Sequence, residues 1–314
     1  MRTLFYGGGV IGSLYAARLA AAGADVTLLA RGHRLQFLSE NGVALVNGYT
    51  GARTVQEVQV VDRLDRDVRW DLIVVTVRKN QVAALLPELA AAQTDTILFL
   101  GNNVGGSDEL VAALGDDRVL LGFPGAGGII EDEAVIYVDS DEKGTERWGL
   151  MVGGVGGALS PRLSEIQALF SGASIPVEIS SDMRAWLVTH AGVALPIASA
   201  LYLVEGGALE LSGRPEILRL LIAAIRESFA VQEALGIPVT PRRLLMYRWV
   251  PSWILNTMMR ARFATRMAEI GIQGYSLAAQ DEVEALIGEY RELLTKAGLR
   301  TPALSTLYNL HDGS

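Results

Sequence analysis

Hydrophobic and polar positions in the first half of the chain switch between two periods. Thr3–Tyr6 is a short apolar run followed at once by glycines, and residues 13–22 are helix formers closed by Gly23. Residues 26–30 (VTLLA) are the next apolar run, and 71–77 (DLIVVTV) is a continuous β-branched stretch of the kind a strand buried on both faces requires. QVAALLPELA, TILFLG, SDELVAAL and RVLLGF follow as helix, strand, helix and strand, and Asn47-Gly48 predicts a hairpin. The alternation predicts right-handed βαβ units around a doubly wound parallel sheet.

From position 182 the pattern becomes helical. Gly213-Arg214-Pro215 opens a helix that runs to Leu235 before Gly236, with Pro215 where a missing N–H costs least. Ser276 opens another that ends at Gly298, Thr301-Pro302 starts a last short one, and no strand pattern follows Ile179. The expected domains are therefore 1–180, α/β, and 181–314, all-α. Residues 185–204 carry no charged side chain. A run of ~20 apolar residues can cross a bilayer, but Thr189, His190, Pro196 and Ser199 interrupt this one and neither flank is strongly basic. It is expected to be a buried helix, with no membrane contact.

Composition narrows the picture. Half of the 314 residues are hydrophobic, which excludes a disordered chain. A net charge of −8 argues against a protein built to coat nucleic acid or an anionic membrane. With no cysteine there is no disulfide framework, thiolate metal site or cysteine nucleophile, and the three histidines (His33, His190, His311) are too scattered for a metal triad. MRTLFYGGGVIG leads straight into a strand and a glycine turn with no signal-peptide pattern, so a cytoplasmic protein is expected.

Gly7, Gly9 and Gly12 form G-x-G-x-x-G after a strand, with Val10 and Ile11 opening the helix. The first glycine allows the tight turn, the second a close approach of pyrophosphate, and the third close packing of helix on strand. The unpaired N–H groups of the helix start then face the phosphates. This makes the first domain Rossmann-type, and a glycine turn without a ligand is the alternative. At the end of the second strand, where a carboxylate would select NAD, stands Arg31, with Arg34 close behind, which points to NADP(H). A surface arginine is the alternative there. GFPGAGG (122–128) and GGVGG (153–157) are expected to be tight loops, the former at the carboxyl edge of the sheet, and Glu131-Asp132-Glu133 a solvated loop.

Between positions 242 and 266 lie six arginines (Arg242, Arg243, Arg248, Arg260, Arg262, Arg266), Trp249, Trp253 and no acidic residue. The patch suits a carboxylate, a phosphate or an acidic partner, and its aromatics suggest single-stranded nucleic acid. Helices whose arginines reach solvent explain most such runs. No nucleic-acid partner is expected.

GGGVIG, LLAR, VTVRKNQV, LGNNVGGSDEL, DEVEALIG and the terminal TPAL, in this order over nearly the full chain, resemble the ketopantoate reductase (2-dehydropantoate 2-reductase) family. The resemblance implies a Rossmann domain, a helical domain, and a cleft between them where NADPH reduces a 2-oxo acid. By position it implies that Arg78, in place of the family's lysine, and Gln81 lie near the cofactor, Asn102 beside the nicotinamide, and Glu282 at ribose or substrate hydroxyls. For each, an ordinary polar residue at an element end is the alternative. Counted from Trp186, the family's proton-donating lysine and its two asparagines fall on Val188, Gly192 and Pro196. The chain is thus similar to a divergent member that lacks the catalytic lysine, and Lys79, Lys143 and Lys296 all lie elsewhere. His190 is then either the general acid or a core histidine bonded to a backbone carbonyl. Two functions remain open. One is an NADPH-dependent reductase of a small carboxylate-bearing substrate, with Asn102, His190 and Glu282 as catalytic residues and a homodimer contact in the helical domain. The other is a non-catalytic NADP(H)-binding sensor or partner-binding protein.

Overall fold

The computed structural model describes residues 1–157 and 159–311. Contacts divide the chain into two units, Met1–Gly101 with Gly106–Met183, and Asn102–Gly105 with Arg184–Ser314.

In the first unit the chain runs β1 (Thr3–Tyr6), α1 (Val10–Ala21), β2 (Val26–Leu29), α2 (Gly32–Asn41), β3 (Val43–Asn47), β4 (Arg53–Gln56), β5 (Gln59–Val61), β6 (Leu72–Val75), α3 (Lys79–Ala90) and β7 (Ile97–Leu100). It continues through α4 (Asp108–Leu114), β8 (Val119–Phe123), β9 (Gly127–Glu131), β10 (Ala134–Val138), β11 (Leu150–Gly154), α5 (Pro161–Gly172) and β12 (Val177–Ile179). Eight strands form the main sheet in the order β12-β11-β8-β7-β6-β1-β2-β5. Every neighbouring pair is parallel except β11 against β8. The fold is therefore the expected α/β Rossmann type, made mixed by one reversed strand. Its central strands β1, β2, β6 and β7 are buried at every position. This is why they read as unbroken apolar runs rather than alternating ones.

A second, four-stranded sheet, β4-β3-β10-β9, was not expected from the sequence beyond the hairpin β3-β4. The two glycine clusters read as loops prove to be partly strand, one in this sheet and one in the main sheet. Gly127 and Gly128 lie within β9, and Gly153 and Gly154 end β11. Glycine is needed there because a Cβ on Gly128 would stand 2.4 Å from the Ile136 carbonyl oxygen, and one on Gly153 2.6 Å from that of Ser180. The Glu131-Asp132-Glu133 stretch is the β9-β10 turn, with Asp132 and Glu133 at φ 46° and 63°. Both central residues sit in the left-handed region that a two-residue hairpin loop demands.

One nearly buried ion pair ties α1 to this second sheet. Arg18 meets Asp139 at 2.6 Å, with side chains 14% and 8% exposed. Its guanidinium also lies over the Tyr137 ring, and Asp139 accepts a second bond from Arg147.

Among the described residues the regular elements of the second unit are helices: α6 (Met183–Leu201), α7 (Gly207–Ser212), α8 (Pro215–Ala234), α9 (Met246–Trp249), α10 (Ser252–Phe263), α11 (Gly274–Ala278), α12 (Gln280–Ala297) and α13 (Pro302–His311). A π-helix, Ala268–Gln273, leads into α11. The helix expected to open at Ser276 starts instead at Gln280, because Ala279 (φ −125°, ψ 39°) breaks α11 from α12. Pro215 occupies the first turn of α8 as expected. Leu218, Leu221, Ile225 and Phe229 of α8 form the middle of the core with Leu195 of α6 and Val283, Leu286 and Tyr290 of α12. No helix among the described residues is long and apolar enough to cross a membrane.

Candidate functional site

The glycine turn is built by close contact. Gly7, at φ +126°, adopts a conformation closed to other residues without strain. A Cβ on Gly12 would stand 1.9 Å from the Gly7 carbonyl oxygen and 2.6 Å from the Thr76 hydroxyl. Thr76, unremarked in the sequence, braces the turn from the end of β6. Its N–H donates to the Tyr6 carbonyl at 3.0 Å, and its hydroxyl lies 3.0 Å from that of Gly7. Gly9 differs from both. It is the N-cap of α1 in ordinary extended geometry, and a Cβ there would meet nothing within 4 Å. The first turn of α1 has no side-chain cap and no acidic residue. A helix start with uncapped N–H groups and open space over Gly9 fits an anion the size of a diphosphate.

The two arginines after β2 have different roles. Arg34 is committed to the protein: it donates to the Gly8 carbonyl (3.2 Å), the Glu133 carbonyl (2.7 Å) and the Glu133 carboxylate (2.9 Å), and its side chain is only 16% exposed. It clamps the β9-β10 turn to the glycine turn. Arg31, the N-cap of α2, is 61% exposed; it donates to the Tyr6 hydroxyl at 2.5 Å and lies 3.7 Å from Glu88. Burial, followed by the Glu88 carboxylate, pushes the Tyr6 phenol up to about 12. Arg78 is the half-buried N-cap of α3, and Gln81 is exposed one turn on, its N–H donating to the Arg78 carbonyl at 2.9 Å.

In the helical unit, two of the residues singled out in the sequence converge on a third that was not. The Asn102 amide donates to the Tyr275 hydroxyl at 2.7 Å, and that hydroxyl donates to the Glu282 carboxylate at 2.8 Å. Glu282, in the first turn of α12, is 4% exposed. The stretch carrying Asn102 is fixed by Glu289 of α12, whose carboxylate accepts the N–H groups of Val104 and Gly105 at 3.1 and 2.7 Å. Burial, then Glu282, holds the Tyr275 phenol far above its usual range, so it stays protonated. Tyr275 carried no sequence signal because the π-helix and the break at Ala279 hide its spacing to Glu282.

His190 stacks flat on Trp186, one turn earlier on α6, with ring centroids 5.3 Å apart and planes within 5°. Burial lowers the pKa of its imidazolium proton to about 4. At pH 7 roughly one molecule in a thousand carries that proton. Protonation is more favourable in the unfolded chain, so stability is expected to fall as pH drops from about 6.5 through about 4. Urea midpoints of wild type and His190→Gln across pH 4–7 should diverge over this window, by up to about 3 kcal/mol; parallel curves would contradict the assignment. Val188 is 1% exposed and Gly192 and Pro196 are buried, so these three positions face the helical core. A Cβ on Gly192 would stand 2.9 Å from the Tyr290 hydroxyl.

The six arginines between 242 and 266 are exposed, as are Trp249 (79%) and Trp253 (72%). Arg248 pairs with Glu233 at 3.0 Å and Arg266 with Glu269 at 2.8 Å. Among the described residues no group of three His, Asp or Glu side chains is placed to hold a metal.

Residues 4–146 match the model of the family described as ketopantoate reductase PanE/ApbA. These residues are a ketopantoate reductase PanE/ApbA domain. The likeness to reductases of this family continues past the domain. A 2-dehydropantoate 2-reductase of Pyrococcus horikoshii is 24% identical over 255 residues, covering 78% of this chain and 79% of its own. Among solved structures, a 2-dehydropantoate 2-reductase from Geobacter metallireducens shares the fold with a TM-score of 0.79 at 17% identity, over 100% of this chain and 99% of its own. A D-mandelate dehydrogenase solved with NADH and anilino(oxo)acetate gives 0.78 at 15% identity, over 100% and 97%.

Proposed function

We propose that this chain is an NADPH-dependent reductase of the 2-dehydropantoate 2-reductase type, acting on a 2-oxo acid or related carbonyl. The observation that carries the proposal is the glycine turn: a Cβ-free, uncapped helix start at Gly9, after β1, with the exposed Arg31 just past the end of the adjacent strand β2. Gly7, Gly9, Val10, Ile11 and Gly12 would hold the diphosphate on backbone N–H groups, and Arg31 the 2′-phosphate, with Arg78 and Gln81 further along the cofactor. When bound, the reduced nicotinamide supplies a hydride to a carbonyl carbon. Asn102 and Glu282 would orient the substrate by hydrogen bonds from a preset network. The family match over residues 4–146 and the names of the relatives support the reaction class.

Oxidation of NADPH by the purified protein with a panel of 2-oxo acids tests the reading. Steady turnover is expected with at least one. Silence across the panel, with saturable NADPH binding, would instead support a sensor that binds the dinucleotide without chemistry. Arg31→Ala is expected to shift the NADPH-to-NADH affinity ratio by ~10–100-fold toward NADH, mostly through loss of NADPH binding. An unchanged ratio in fluorescence titrations would remove Arg31 from the 2′-phosphate.

A further inference from the structure

We infer that Tyr275 does the work of the absent helix lysine: its hydroxyl, which accepts from the Asn102 amide, turns its one proton from the Glu282 carboxylate to the substrate's carbonyl oxygen and protonates it. The inference rests on the reductase reading above. It starts from a convergence, since the two residues assigned to nicotinamide and substrate by position, 180 apart in sequence, both bond to this one phenol. Tyr275 is half-buried while Glu282 is 4% exposed, so the tyrosine is the more accessible of the two. The position of the family's lysine holds Val188, 1% exposed in the core, and none of the three lysines lies on α6. Tyr275 also directly follows the π-helix Ala268–Gln273 and Gly274. Such wide turns recur at functional sites because they re-aim the next side chains.

The proton balance is simple. The carbonyl carbon gains the hydride, the C=O π pair moves to oxygen, and that oxygen takes the phenolic proton. The phenolate left behind keeps the Asn102 N–H bond and is repelled by the Glu282 carboxylate, so solvent reprotonates it. The titratable groups that face the phenol are Glu282 of α12 and Tyr202, which follows α6. Burial first, then these two groups, keep it protonated through the working pH range, so the donor is always loaded. An alkoxide is a strong enough base to take its proton.

The test compares wild type with Tyr275→Phe. NADPH affinity is expected to stay within about threefold. Affinity for oxamate in the presence of NADPH should fall ~10-fold with loss of the bond to its carbonyl oxygen. With the 2-oxo acid that turns over best, kcat should fall ~10²–10⁴-fold, the range for loss of a general acid, with a smaller change in KM. A variant that keeps kcat within about threefold overturns the inference and leaves the reductase reading intact. A wild type that binds NADPH and turns over no panel member overturns both. If Tyr275→Phe does not fold, the pH profile of wild-type kcat decides. A rate flat from about pH 5 to 9 supports the phenol, whereas a fall with a midpoint between about pH 4 and 7 assigns the proton to an imidazole and overturns the inference.

Discussion

Gly12→Ala is expected to lower NADPH affinity by at least ~100-fold and to destabilise the first unit by about 1–3 kcal/mol. The added methyl would stand 1.9 Å from the Gly7 carbonyl oxygen and 2.6 Å from the Thr76 hydroxyl. Neither neighbour yields easily. Gly7 is held by its N–H bond to Leu29 and its positive φ, and Thr76 by the strand-end bond to Tyr6. The turn must therefore open, and its N–H groups no longer converge. Thermal melting and an NADPH titration of the same preparation check both halves. A variant that melts with wild type and binds equally would show that the close approach is not needed.

The second large effect concerns stability alone. Asp139→Ala is expected to cost about 3–5 kcal/mol, because it leaves the Arg18 guanidinium, 14% exposed, without its carboxylate. The bond to Arg147 is lost with it, though Arg147 is 46% exposed and water replaces that partner at little cost. Replacing Arg18 as well, in Arg18→Met/Asp139→Ala, should recover part of the loss, since the buried unpaired charge is what destabilises. Urea denaturation of the three proteins decides; a single variant within about 1 kcal/mol of wild type would show that the pair is solvated rather than buried.

What could be read in advance follows from burial. Strands β1, β2, β6 and β7 have both faces covered, so their side chains are continuously apolar and announce themselves. β9 and β10 were missed because their turn uses Asp132 and Glu133 at positive φ, where Asn-Gly would be looked for, and because two residues of β9 are glycines that read as loop. The site divides in the same way. Gly7, Gly9 and Gly12 act through backbone geometry that a local motif encodes. Thr76, Arg34 and Tyr275 act through contacts between residues 26–173 positions apart, which no single segment reveals. The pairing of Arg34 with Glu133 needs the second sheet to exist, and the bond from Asn102 to Tyr275 needs the π-helix to turn the phenol.

Whether the open space over Gly9 receives a dinucleotide is the question on which the rest stands. A methyl there meets nothing within 4 Å and the backbone is already in an ordinary extended conformation, so Gly9→Ala leaves the fold undisturbed. Titration of wild type and Gly9→Ala with NADPH, read by protein fluorescence, is the most direct test. Saturable binding by wild type and at least ~100-fold weaker binding by a variant of equal melting temperature are the results expected. Equal affinity in the two proteins, or no saturable association of wild type at ~1 mM ligand, would contradict the account.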